Sequence, residues 1–404
     1  MKKAYNKCYY NGMSVLNIKN ENEVLTIKCM GRIDSGNAGT VRDEIKQALD
    51  EGGFKSVVVD ADNLEYISSA GLRSLLFLKK SFDEMKIINV SSEVYDVFEM
   101  TGFSEIMTIE KAFRRLDVSG CTVIGEGAKG IVYRYDDDTI VKVFKDPDSL
   151  DIIKRERELA RKAFVLGIPT AISYDIVRVG DLYGSVFELL DASSLSECIA
   201  ENPEKFDEYM NIYVGLLKQI HETTVQANEI PDIKILIAKW VDACERYLEP
   251  EYFSKLTRLV DFCPDNLTLL HGDYHTNNIM MQNGEALLID MDTLCHGHPV
   301  FELANIYCTW VAFGEIDREK EEAFTGLKHE VSQEIWRRFI RAYLDTEDES
   351  IIADVEDKVK LMAYVRVLRH TVRRGIKNET DEKAVAMCTE IIPALLDKID
   401  TLDF

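Results

Sequence analysis

The sequence has little of what marks a secreted, membrane-spanning or nucleic-acid-binding chain. Its nine cysteines are scattered from Cys8 to Cys388 and include no C-x-x-C pair. That argues against a disulfide framework or a zinc site and fits reduced thiols. Basic residues are outnumbered, with 48 Lys and Arg against 71 Asp and Glu, for a net charge of −23. Such a surface repels phosphate backbones and anionic lipid, so neither nucleic acid nor a membrane is expected as a partner. No apolar run approaches the ~18 residues that span a bilayer. Met1-Lys2-Lys3 is followed by no apolar stretch, so no export signal is expected and a cytoplasmic protein is the simplest expectation. Proline is sparse, eight in 404 residues, and no low-complexity linker or internal repeat interrupts the chain.

What is present is ordinary globular material: 46% hydrophobic and 29% charged residues, in a length that suits two or three domains. The texture changes around residues 110–118. Before that point, strands and helices alternate. Val24 to Met30 alternates like a half-buried strand ending at Gly31, and Val41, Ile45 and Ala48 recur at helical spacing before Gly52-Gly53. Ser56 to Ala61 is a β-branched run, and Ser69 stands at an N-cap position ahead of Leu72, Leu75, Leu76 and Leu78 at mixed helical spacing. Met85 to Val90 reads as a further strand and Glu93 to Met100 as a helix. Such alternation predicts an α/β layer. After Cys121, strands come first (121–124, 131–135, 139–144 and 183–190) and long helices dominate from about Leu195, among them 208–221, 233–247 and 354–373. The expected fold class is therefore α/β plus α+β.

The second half carries the chemistry. Gly125-Glu126-Gly127-Ala128-Lys129-Gly130 lies between two strands. Glycines at Gly125, Gly127 and Gly130 let backbone amides approach phosphate, although a hairpin turn uses the same residues. A helix does not follow, which argues against a dinucleotide fold. Lys142 alternates with apolar neighbours on the next strand. A strand lysine is ordinarily solvated; the functional alternative is a cation for nucleotide phosphates, held by a carboxylate. Glu156 supplies one on a helix face shared with Leu159, Ala160 and Ala163, whereas Glu158 shares its face with Arg161 and Lys162. Further on, His271-Gly272-Asp273 precedes Asn278 by a few residues, and Asp290 ends an apolar run twelve residues after Asn278. An asparagine and an aspartate at adjoining strand ends offer hard oxygen ligands for Mg2+. Asp273 is then placed to accept a proton from an attacking hydroxyl.

These elements, in this order, resemble the aminoglycoside phosphotransferase and choline kinase superfamily, a branch of the protein-kinase-like fold. The resemblance runs from about Cys121 to the end of the sequence. It implies Asp273 as catalytic base, Asn278 and Asp290 as Mg2+ ligands, Lys142 with Glu156 on the phosphates of ATP, and an adenine-binding hinge near Glu188 and Leu190. The His-Gly-Asp form favours a small-molecule hydroxyl as acceptor. Within that superfamily an acidic helical lobe suits cationic acceptors. Arg366, Arg369, Arg373 and Arg374 recur at helical spacing and read most simply as a solvated basic face docking on an acidic body, with an anion site as the alternative. His296 and His298 lack companion ligands and read as loop packing rather than metal.

The first half resembles the STAS domain of anti-sigma-factor antagonists over residues 12–112, on Gly31-Arg32-Ile33-Asp34 and on Asp60 to Leu72. The family's Asp-Ser-Ser-Gly-Leu switch aligns its phosphorylated serine with Ser69, while Ser68 replaces the aspartate and Ala70 the second serine. Ser69 is thus a candidate phosphorylation site at a helix N-terminus. The expected organisation is a STAS-like regulatory domain over 1–114, followed by a bilobal kinase-like domain over 117–404. The latter has a small β-rich lobe over about 117–190 and a helical lobe over about 191–404. The expected function is ATP- and Mg2+-dependent phosphotransfer to a small-molecule hydroxyl, with the STAS module binding a protein partner. The alternatives are a signalling switch that phosphorylates a protein, its own Ser69 included, and a nucleotide-binding scaffold.

Overall fold

The computed structural model describes residues 15–404 except 22, 83, 128 and 191. Ala128 of the glycine-rich run and the first residues of the expected STAS-like domain lie outside that description. The chain divides into two compact units at Leu116/Asp117.

In the first unit a mixed sheet has the order β1 (Leu16–Glu21), β2 (Val24–Ile33), β3 (Ser56–Ile67), β4 (Met85–Val90), β5 (Thr108–Lys111). The first pair is antiparallel and the others are parallel. Parallel neighbours need crossovers. These are α1 (Ala38–Glu51), α2 (Ser69–Ser81) and α3 (Ser92–Met100), and a two-residue strand, β6 (Arg114–Arg115), follows β5. β2 continues past Gly31 and β3 past Ala61, because bulges in their shared register carry both strands on to Ile33 and Ile67. The cap of α2 is Ser68, not Ser69. Ser68 has extended backbone and its hydroxyl accepts from the Gly71 N–H at 3.3 Å, which leaves Ser69 exposed as the first helical residue. Leu72, Leu75 and Leu78 are buried, whereas Leu76 is only half-buried, since it lies one step off the inward face.

The second unit opens with an antiparallel sheet built from β7 (Thr122–Glu126), β8 (Gly130–Arg134) and β9 (Thr139–Phe144). Helix α4 (Leu150–Val165) follows, then β10 (Asp175–Val179) and β11 (Leu182–Glu188). The pairing order is β10-β11-β9-β8-β7. β10 escapes sequence reading because Asp175 and Arg178 break its apolar run. Beyond lie β12 (Ser193–Ser194), α5 (Leu195–Glu201), α6 (Phe206–Glu222), α7 (Lys234–Asp242) and α8 (Pro250–Asp261). Helix α7 stops five residues short of the expected Tyr247, the chain passing into turns at Ala243. The short strands β13 (Leu269–Leu270), β14 (Ile279–Gln282), β15 (Glu285–Leu288) and β16 (Cys295–His296) frame the site. Helices α9 (Pro299–Tyr307), α10 (Phe313–Ile316), α11 (Arg318–Thr325), α12 (His329–Leu344), α13 (Glu349–Arg374) and α14 (Glu379–Leu396) complete the lobe. One continuous core unites them, with Trp310, Tyr213, Tyr274, Tyr364 and Phe339 among its largest fully buried side chains.

Candidate active site

Three separated stretches of sequence converge on Lys142. Its Nζ donates to Glu156 Oε1 at 3.0 Å and to Asp290 Oδ1 at 2.9 Å. Burial alone would lower the Lys142 pKa, but the two carboxylates outweigh it and raise it, so the side chain stays a cation. Burial would likewise raise the Asp290 carboxyl, yet Lys142 and then Lys129 pull it below its ordinary value. Glu156 is the more deeply buried partner. Desolvation raises its pKa despite Lys142, and its second oxygen has no hydrogen-bond partner. Glu158 pairs instead with Lys162 on the outer face of α4.

The glycine-rich run is a β7–β8 hairpin closed by Gly127 N–H to Gly130 O at 2.9 Å. Lys145 braces it through Glu126 (2.8 Å) and the Gly127 carbonyl (3.0 Å). Lys129 reaches across to pair with Asp292, two residues beyond Asp290. Gly130 has a packing reason of its own, because a Cβ there would lie 2.6 Å from Val143 O, while Gly127 meets nothing within 4 Å. At the end of β11, the Leu189 N–H donates to Asp138 O at 2.8 Å, which pins the segment between Glu188 and Leu190.

The His271-Gly272-Asp273 turn is held from beneath by α9. Glu302, fully buried, accepts from the N–H groups of His271 (2.9 Å) and Gly272 (2.6 Å), and Asn305 donates to Gly272 O at 2.9 Å. His221 lies 3.0 Å from the same Glu302 carboxylate and 2.7 Å from the Tyr343 hydroxyl. Gly272 has φ +83°, and a Cβ there would sit 2.3 Å from Thr293 O, so no other residue fits. Tyr274 stacks on Tyr213 at 5.0 Å and donates to its carbonyl at 2.6 Å, which anchors the far side of the turn. His271 Nδ1 accepts from the Asp273 N–H and Nε2 faces Ile289 O, each at 3.3 Å, which fits the Nε2–H tautomer.

Asp273 is 41% exposed at its side chain. Burial would raise its carboxyl, but His275 (3.7 Å), Arg366 (3.8 Å) and His271 together hold it at about 2. Asn278 Nδ2 donates to Asp273 O at 2.9 Å, and Asn278 O accepts from the Ile289 N–H at 3.0 Å. These bonds tie Asn278 to Asp273 and to Ile289, the residue before Asp290. With the Asn278 nitrogen so engaged, its amide oxygen and the ionised Asp290 would offer a metal only oxygen donors. Such a pair fits Mg2+, which takes few protein ligands and completes its shell with water or phosphate. Asp290 itself adopts φ 60°, ψ 59°, a left-handed conformation that aspartate tolerates better than most residues and that recurs at functional positions.

The family model described as the phosphotransferase enzyme family matches residues 120–342, more than half of the chain. This chain belongs to the phosphotransferase enzyme family. Residues 16–117 match the STAS domain model, so a STAS domain precedes the kinase-like fold. BtrV of Bordetella bronchiseptica, described as a candidate anti-sigma factor antagonist, is 34% identical over 90 residues. That match covers 21% of this chain and 77% of that protein. Among solved structures, a thermostable mutant of aminoglycoside phosphotransferase APH(4)-Ia in its apo form is 14% identical, with a TM-score of 0.48. It covers 69% of this chain and 94% of that one. ADP-bound APH(2'')-Ib is 14% identical over 76% of this chain and 99% of that one, with a TM-score of 0.47. A choline/ethanolamine kinase family protein from Mesorhizobium loti is 13% identical over 69% and 91%, with a TM-score of 0.44.

Sequence reasoning missed several residues of this candidate site. Glu302 left a signal, a lone carboxylate inside the apolar run Val300-Phe301-Glu302-Leu303-Ala304. Arg366 left none that separated it from its neighbours. Rather than a solvated position, it is 25% exposed at its side chain, beside Asp273 and 5.9 Å from the Trp240 ring centre. Only the tertiary fold brings α13 to the His-Gly-Asp turn. His296 and His298 are packed as expected: His296 Nδ1 meets Asn266 O, and His298 caps α9 and meets Asp403.

Proposed function

We propose that this chain is an ATP- and Mg2+-dependent kinase that phosphorylates a hydroxyl of a small molecule, with the STAS unit binding a protein partner or regulating turnover. The observation that carries the reading is the Lys142 ammonium held between Glu156 and Asp290 at 3.0 and 2.9 Å. Lys142 would meet the α- and β-phosphates, with Glu156 fixing its position, beneath a hairpin containing Gly125, Gly127 and Gly130. Glu188 and Leu190 would border the adenine. Asn278 and Asp290 would hold Mg2+, which when bound supplies positive charge to the phosphate oxygens. In the transfer, the bond from the γ-phosphorus to the ADP oxygen breaks and a bond to the acceptor oxygen forms. The hydroxyl proton passes to a carboxylate oxygen of Asp273. A carboxylate held at about 2 is a weak base; it stays charged, orients the hydroxyl by hydrogen bonding, and takes the proton once the acceptor oxygen has begun to bond phosphorus.

The exposed Ser69 at the start of α2 supports a second reading, a signalling switch phosphorylated by this or another kinase. One incubation of the full chain with Mg·ATP, read by ADP release and intact mass, separates these readings. ADP release that depends on an added hydroxyl compound, with unchanged protein mass, supports the kinase. Acceptor-independent gain of a phosphoryl group on the chain supports the switch. Nucleotide binding with neither outcome leaves only a scaffold.

A further inference from the structure

Helix α13 brings one cation, Arg366, beside Asp273 and carries further cations from there to its C-terminus. Arg366, Arg369, His370 and Arg373 fall at i, i+3, i+4 and i+7, one face of a helix, and Arg366 fixes which face it is by lying 3.8 Å from Asp273. Although the chain carries 71 acidic residues, no carboxylate among the described residues lies in ion-pair reach of Arg369, Arg373 or Arg374. Arg374 instead contacts the His370 ring at 3.2 Å. Burial first, and then repulsion from the neighbouring arginines, lowers the pKa of both Arg369 and His370. The helix dipole accounts for Arg373 and Arg374 in the last turn, but its effect fades within that turn and does not reach Arg366 or Arg369. A solvated basic face would find counter-charges in so acidic a protein. Beyond Arg366, which meets Asp273, this one is left uncompensated.

We propose that Arg366, Arg369 and Arg373 form an anion-binding subsite next to Asp273, and that the acceptor is a small hydroxyl compound bearing a carboxylate or phosphate group. This rests on the kinase reading above and names the acceptor's class. Guanidinium groups suit such anions because their paired N–H donors match two oxygens at once. Arg366 would receive the inner oxygens of the anion, which sets the hydroxyl at Asp273. Arg369 and Arg373 would supply the outer charge. The result is opposite to the cationic acceptor that the net charge alone suggests.

Two measurements on the full chain test this. The first is a phosphorus NMR titration of inorganic phosphate at saturating Mg·ADP, so that the nucleotide site is already filled. Wild type should broaden the phosphate line saturably. Arg369→Gln/Arg373→Gln should weaken that binding at least about tenfold with unchanged Mg·ADP affinity and melting temperature, and Arg369→Lys/Arg373→Lys should retain most of it. The second is ADP release with glycerol, glycerate, glycerol 3-phosphate and choline. The anionic members should exceed glycerol and choline at least about tenfold in kcat/KM, and the Gln pair should erase that preference through KM. Phosphate binding that is absent, or that survives the Gln pair, overturns the subsite, as does preferred turnover of glycerol or choline. If phosphate binds as expected but no compound or polypeptide is ever phosphorylated, the kinase reading fails and the anion site stands.

Discussion

Removing the carboxylate of Glu302 should loosen the catalytic turn without touching any reacting group. Two backbone N–H groups, of His271 and Gly272, donate to it at 2.9 and 2.6 Å, and His221 contacts it at 3.0 Å. The residue is completely buried, so water cannot substitute readily. Each buried donor left unsatisfied costs about 1–3 kcal/mol. Two of them, with an added cavity, bring Glu302→Ala to roughly 3–5 kcal/mol, in the range seen when one partner of a buried charged network is removed. In a unit of this size each kcal/mol moves the melting temperature by about 2 °C, so the unfolding transition should fall by roughly 6–10 °C. Glu302→Gln keeps one acceptor oxygen but turns an amide toward the other N–H, and should cost about 1.5–3 kcal/mol. The assay is thermal unfolding followed by ADP release on the surviving folded fraction, where both variants should lose turnover while keeping Mg·ADP affinity. A Glu302→Ala transition within 2 °C of wild type would refute the argument that this carboxylate holds the turn.

Three further outcomes follow from the same geometry. Asp273 has a depressed carboxyl, so its charge and the stability tied to it are fully present above the ordinary carboxylate range near 3.9 and are lost as pH falls through about 2. The acid limb of kcat/KM should therefore show no Asp273 titration above about pH 4, whereas Arg366→Met should bring that limb upward. At α2, Ser68→Ala should destabilise the STAS unit by about 1 kcal/mol through loss of the cap, while Ser69→Ala and Ser69→Asp leave its melting transition nearly unchanged; chemical denaturation of the three variants checks this. We propose that residues 1–114 and 117–404 fold separately, and each fragment should give its own cooperative melt.

Local signals carried much of this molecule into view. Lys142 and Glu156 were legible because each occupies a period that fixes its face: a lysine amid alternating apolar residues, and a glutamate sharing a helix stripe with Leu159, Ala160 and Ala163. Asp273, Asn278 and Asp290 were legible because apolar strands bracket them at short range. The cap of α2 was misread by one residue, since Ser68 and Ser69 are chemically alike and only the extended backbone of Ser68 distinguishes them. Glu302 showed only as a lone carboxylate in an apolar run, and Asn305 not at all, because both act on a loop some thirty residues earlier in the chain through backbone atoms. Arg366 was hidden for the same reason at greater range, since nothing near it in sequence announces that α13 passes the His-Gly-Asp turn.

We propose that Asp273 and Asp290 divide the work, one acting on the acceptor and the other on the nucleotide. The direct measurement pairs single-turnover phosphoryl transfer from Mg·ATP with Mg·ATP binding, for wild type, Asp273→Asn and Asp290→Ala. Asp273→Asn should bind Mg·ATP like wild type but transfer at least about 10²-fold more slowly, as expected for loss of a positioned base. Asp290→Ala should instead lose affinity for Mg·ATP itself, since Lys142 loses one of its two carboxylate partners and Mg2+ would lose a proposed ligand. Wild-type transfer by Asp273→Asn, or wild-type Mg·ATP affinity in Asp290→Ala, would contradict it.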